Sequence, residues 1–221
     1  MSKEVLDIVL DLEFFGTEED MIRDYPCEDA FPIVTSIGLA AQLEGKLLFS
    51  KNFPLNMQEQ LENGAKFGKG CMLDFWTKQP LFGEEFHRSF AQDQSMELVL
   101  HSIASAINNV RTPDVKVNVI GNNLLADNNK LIRLFSKYSY CPLPWSYWEN
   151  MDYREFINTV TFLGFNRKGS EKLFEGDVIA GRYSAHGFME PKLHNAEYDC
   201  LKQLSVLNDA RSYLNYVKDN I

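Results

Sequence analysis

Residues 5–16 read VLDIVLDLEFFG. Ile8, Val9 and Leu10 form the continuous apolar run that a strand buried on both faces requires, so residues 4–14 are expected to form a β-strand inside a sheet. Side chains alternate along a strand, which puts Asp11 and Glu13 on one face at its closing end. A bare carboxylate pair in that position repels and is costly to desolvate unless a cation neutralises it. The alternative is that the two acids mark the solvent face of an edge strand.

Outward from this strand, residues 16–32 are rich in turn formers and charge, including Glu18, Glu19, Asp20, Asp24, Glu28 and Asp29. They read as a solvated acidic loop inserted before a second strand over 33–43. Glu44 and Gly45 then make a tight turn into a third strand over 46–53, an antiparallel hairpin. Glycines at 64, 68, 70 and 83 break up residues 56–90, with one short helix near 72–78. A helical period over 96–110 stops before Pro113, and 115–120 reads as another strand. Gly121, Asn122 and Asn123 turn into a helix over 124–138, with Asp127 on its first turns. A short strand over 150–153 leads into a helix reaching 160, and the last helix spans 195–217. The class expected is α/β, a mixed β-sheet with an antiparallel β-meander plus parallel strands, flanked by helices. One domain over 1–221 is expected.

The chain has 221 residues, 45% of them hydrophobic, enough to bury a sizeable core. No segment reads as a membrane span or signal sequence, so a soluble, cytoplasmic protein is expected. Cys27, Cys71, Cys141 and Cys200 are scattered without a C-x-x-C pair, which fits reduced thiols better than zinc or a disulfide framework. A net charge of −9 argues against nonspecific coating of nucleic acid. It does not exclude a nuclease, because carboxylates that hold divalent cations become locally cationic and attract phosphate.

Three distant segments supply an ordered set: Asp11 and Glu13, then Asp127, then His194 and Asp199 as H-x-x-x-x-D. Four carboxylates brought together can hold two hard divalent cations, with a histidine placed to take a proton from water. Taken singly, Asp127 reads equally well as a first-turn acid favoured by the helix dipole, and His194 as a capping or solvent-facing residue. His87, His101 and His186 lack an acidic partner at this spacing.

With D-L-E-F-F-G at 11–16, G-N-N-L-L-A-D at 121–127 and H-N-A-E-Y-D-C at 194–200, the sequence resembles the DEDDh-type 3′-to-5′ exonucleases of the ribonuclease H-like superfamily. The layout, including W-T-K-Q-P at 76–80, is most similar to small phage exonucleases and bacterial exoribonuclease-like domains. The resemblance implies two Mg²⁺ or Mn²⁺ ions, one held by Asp11, Glu13 and Asp199 and its partner by Asp11 and Asp127. It implies His194 as general base and hydrolysis of single-stranded DNA or RNA from the 3′ end to nucleoside 5′-monophosphates. Phe14 stands where the family commonly has Thr, so a ring replaces a hydroxyl next to the terminal nucleotide; Phe14 also reads as a core residue. Asn123 and Trp76 are the other substrate contacts expected, with Lys66, Lys69, Lys78, Arg154, Arg167 and Lys168 as cations for the backbone and Phe67 and Trp145 as further rings. A homodimer stays open. The competing readings are a noncatalytic nucleic-acid or protein-binding module on the same fold, or a small-phosphodiester hydrolase.

Overall fold

A computed structural model describes residues 4–26 and 30–220. In chain order the elements are β1 (Val5–Phe14), α1 (Glu18–Asp24), β2 (Phe31–Pro32), β3 (Val34–Leu43), β4 (Lys46–Pro54), α2 (Met57–Glu62) and β5 (Ala65–Lys66). There follow α3 (Phe82–Phe90), α4 (Met96–Val110), β6 (Lys116–Gly121), α5 (Asn128–Tyr138), β7 (Asn150–Asp152), α6 (Tyr153–Phe162), α7 (Arg167–Ile179) and α8 (Ala196–Asp219).

The main sheet has the order β4-β3-β1-β6-β7, with β1 in the middle, antiparallel to β3 and parallel to β6. This is the mixed α/β sheet expected from sequence. The hairpin turn falls on Glu44 and Gly45, both at positive φ (48° and 80°), as a tight two-residue connection demands. The alternation of β1 sorts two cores. Leu6, Ile8, Leu10 and Leu12 face α4 and α5, while Val9 joins Ala40 and Ile120 beneath α6, α7 and α8. Asp7, Asp11 and Glu13 have the parity of Val9, so all three project towards the α8 side. Among the described residues, no helix is long and apolar enough to cross a membrane.

The acidic loop expected over 16–32 is replaced in part by α1. Thr17 accepts from the Asp20 backbone N–H at 3.0 Å while Asp20 accepts from Thr17 at 3.1 Å, a reciprocal capping box. Met21 is buried beneath it, and Arg23 pairs with Asp20 and Asp24. Of the charged run, Glu18 and Glu19 are thus exposed on an anchored helix while Asp20 is buried in its cap; β2 follows and pairs with β5. Cys27, Glu28 and Asp29 lie outside the described residues. Cys71, Cys141 and Cys200 are free thiols. The helix expected over 124–138 begins at Asn128 instead. The Asn123 side chain accepts from the backbone N–H groups of Leu125 and Ala126, and Asp152 accepts from that of Leu124, so local polar bonds hold these residues in a turn.

Candidate active site

The last parallel pairing between β1 and β6 is Leu10 with Gly121, after which the two strands diverge. In open α/β sheets a ligand crevice forms outside the carboxyl ends of strands where the winding changes direction. Here a cleft of about 580 Å³ opens, lined by Asp11, Glu13, Asp127, His194 and Asp199. All five expected residues thus share one cavity. A register shift between Glu13 and Phe14 marks the end of the regular β1–β3 ladder.

Asp127 stands at the N-cap position of α5, yet its carboxylate caps a strand. Its Oδ1 accepts from the Leu12 backbone N–H at 3.3 Å, and its Oδ2 accepts from that of Asn123 at 2.8 Å. Leu12 lies past the end of its β6 partner, so its N–H would otherwise lack a ladder acceptor. This bond ties the second motif to the first.

The third motif arrives through a close approach of helix to sheet. Gly38 pairs with Asp11 across the ladder, and a Cβ on Gly38 would lie 2.1 Å from the Ala196 carbonyl oxygen. Only glycine lets the first turn of α8 press onto β3 beside Asp11. His194, just before that turn, has φ 62°, a left-handed conformation uncommon outside glycine. Its backbone N–H donates to Asp199 Oδ2 at 2.9 Å, and Asp199 Oδ1 lies 3.2 Å from Lys202 Nζ. One turn on, Gln203 Nε2 donates to Asp11 Oδ1 at 2.8 Å while its own Oε1 is buried without a partner. The His194 ring meets Phe75 edge-on at 4.8 Å, with Trp76 behind at 6.2 Å.

Among the described residues, Glu13, His194 and Asp199 form the group whose donor atoms lie within 4.8 Å of one another. That group joins His194, in place of Asp11, to Glu13 and Asp199. Asp11 and Asp127 line the same cleft without entering it.

The electrostatics are those of like charges taken out of water. Burial, then the Asp127 and Asp199 charges, push the Asp11 carboxyl well above its ordinary range. Burial and then Asp11 do the same to Glu13. Burial raises Asp127 to about 6 against the lowering pull of its two backbone donors. Burial lowers His194, which keeps its imidazole neutral and able to accept a proton near pH 7. Lys202 and Gln203 offset only part of the repulsion. Buried, hard oxygen donors crowded in this way suit a divalent cation such as Mg²⁺ or Mn²⁺, whose charge would remove the penalty.

The expected substrate contacts divide. Phe14 and Asn123 line the cleft, but the Asn123 side-chain oxygen is engaged by two backbone donors. Trp76 is only 1% exposed and its Nε1 donates to the Phe14 carbonyl at 2.7 Å, so it supports the rim, and Phe75 is the ring exposed there. Arg154 and Arg167 line the cleft; Lys66, Lys69, Lys78 and Lys168 do not. Trp145 is a core residue donating to Asn150, and Phe67 packs on Phe15. Sequence reading missed Lys202, Gln203 and Phe75. Spacings of three and four from Asp199 on one helix would have found the first two.

Neither a protein-family model nor a curated protein sequence matches the chain. Among solved structures it is similar to apo exonuclease I, with a TM-score of 0.57 at 13% identity over 95% of this chain and 42% of that one. E. coli exonuclease I in complex with an oligonucleotide gives 0.54 at 14% identity, over 99% and 42%. Product-bound exonuclease I gives 0.53 at 12%, over 95% and 44%. The mixed sheet with its flanking helices is the ribonuclease H-like fold of these exonucleases. The chain spans less than half the length of the structures it matches.

Proposed function

We propose that the chain is a metal-dependent 3′-to-5′ exonuclease acting on single-stranded DNA or RNA and releasing nucleoside 5′-monophosphates. The observation that carries this is the gathering of Asp11, Glu13, Asp127 and Asp199, with a neutral imidazole, in one cleft at the carboxyl ends of β1 and β6. Asp11, Glu13 and Asp199 would hold one Mg²⁺ or Mn²⁺, and Asp11 with Asp127 a second. Such ions polarise a phosphoryl oxygen and neutralise charge that develops on the attacking and leaving oxygens.

The protein's own groups do the rest. His194 accepts the proton of the attacking water at an imidazole nitrogen; the Phe75 edge packs on its ring and the Asp199 bond to its backbone holds the segment that carries it. Gln203 holds the Asp11 carboxylate in one orientation. Arg154, Arg167 and Lys202 supply positive charge along the cleft for backbone phosphates. Phe14 and Phe75 offer ring surface to the terminal nucleotide, a contact that tolerates every base.

The test is time-resolved gel analysis of 5′-labelled single-stranded DNA and RNA of equal sequence in Mg²⁺ or Mn²⁺, beside His194→Ala. A ladder shortening from the 3′ end, lost in the variant, is expected. Absence of metal-dependent shortening of either polymer overturns the reading and leaves a binding module or a small-phosphodiester hydrolase.

A further inference from the structure

The helix that carries Asp127 at its start also carries a line of cations away from the cleft. Lys130, Arg133 and Lys137 occur at spacings of three and four on α5, hence on one side of it. Lys130 Nζ lies 4.4 Å over the Phe14 ring, which lines the cleft. Arg133 lies 5.4 Å and Lys137 4.2 Å over the Phe31 ring of β2. Phe31 is buried and Phe14 partly so; cations resting on rings fixed in this way have lost much of their rotamer freedom before any ligand arrives. Among the described residues, Glu18 of α1 lies across from them, 3.9 Å from Lys130 and 3.7 Å from Arg133.

The rise from position 130 to position 137 is about 10 Å along the helix, roughly three nucleotides of a stacked strand at about 3.4 Å each. Lys130 is nearly buried, so it fixes Phe14 and Glu18, while Arg133 and Lys137 are the ones that reach a ligand. In a chain of net charge −9, three cations in line from the cleft outward are the arrangement a polyanion leaving that cleft would meet.

Building on the exonuclease reading, we propose that this side of α5 is the track for the sugar–phosphate backbone upstream of the 3′ end. Arg133 and Lys137 contact phosphates a few nucleotides from the cut, and Glu18 competes for Arg133 until the strand displaces it.

The experiment uses Arg133→Gln/Lys137→Gln and Glu18→Gln with single-stranded oligonucleotides of 3 and 15 nucleotides. Turnover is measured in Mg²⁺. Binding is measured by anisotropy in the Asp11→Asn background, where the strand is not consumed, from 50 to 200 mM salt. The double variant is expected to raise KM for the 15-mer roughly tenfold and leave kcat and the 3-mer unchanged. It should also flatten the log–log salt slope by about 1.4, near 0.7 per lost phosphate contact on a single strand. Glu18→Gln should tighten the 15-mer. Equal losses on both lengths, or an unchanged slope while the wild type still shortens oligonucleotides, overturn the track alone. A wild type that shortens neither length overturns the track and the exonuclease reading together.

Discussion

Asp7 and Asp11 sit four residues apart on β1, point to the same side, and are 1% and 7% exposed. Their surroundings are opposite. Asp7 is held by both terminal nitrogens of Arg211, by Asn118 Nδ2 at 2.9 Å and by Gln42 Nε2 at 3.1 Å. Asp11 has Gln203 as its side-chain donor and meets the charges of Asp127 and Asp199. Helix α8 contributes to both settings, laying Asp199 and Gln203 beside Asp11 and Arg211 beside Asp7. Burial alone thus says little about a carboxylate's role. An acid whose charge is matched is architecture, and one whose charge is left unmatched beside other acids is a place for a cation.

The largest effect expected from breaking this contrast is at Asp11. Asp11→Asn should lower turnover on single-stranded oligonucleotides by about 10²–10³-fold or more while leaving the melting temperature equal or higher, since it removes a repelled charge. A melting temperature well below wild type would place Asp11 with Asp7 as architecture. Next comes Arg211→Met, which strands Asp7 without its cation. Because Arg211 is one-third exposed, a loss of about 3 kcal/mol in chemical denaturation is expected, the lower end for a broken buried pair, with kcat little changed.

The pH dependence follows the same contrast. Asp11, Glu13 and Asp127 have raised carboxyls, so the folded protein keeps protons that the unfolded chain releases. Their contribution is present below about pH 4 and is lost as pH rises through about 6 and beyond. His194, lowered, acts the other way below about 6.5, but it is one half-buried group against three carboxyls. Metal-free protein should therefore melt higher at pH 5 than at pH 7.5, and Mn²⁺ should raise the melting temperature more at pH 7.5. Calorimetry showing equal gains at both values would separate the cluster from cation binding. The smallest effect is at Gln203: Gln203→Leu should weaken Mn²⁺ binding by about 10- to 100-fold in titration calorimetry, with the fold intact by circular dichroism.

Elements with a strong period were legible in the sequence. The helix over 96–110 has the bounds read from its apolar spacing, and the run through Ile8, Val9 and Leu10 identifies a strand buried on both faces. What escaped reading was decided by side-chain bonds to backbone groups. The T-E-E-D run at 17–20 closes on itself as a capping box, although its charge suggested a loop. The α5 start was set by Asn123 and Asp152, one of them some 30 residues away. The helix α7, with Gly169 and Gly176 inside it and few apolar residues, left no period to see. Of the candidate site, the order of the acids was readable. That Gln203 would steady Asp11, that Phe75 and not Trp76 would be exposed, and that Gly38 would let α8 come so close depend on contacts between segments far apart in the chain.

The bond from Gln203 to Asp11 joins positions 192 residues apart, and Arg211 reaches Asp7 across 204. A ribosome adding about 5–20 residues per second makes the first partner of each pair roughly 10–40 s before the second. Throughout that interval β1 carries two carboxylates without their helix, and Val9, Ala40 and Ile120 lack the cover of α8. The chemistry we propose would switch on only once α8 has left the exit tunnel, so until then the growing chain stays harmless to any nucleic acid beside it.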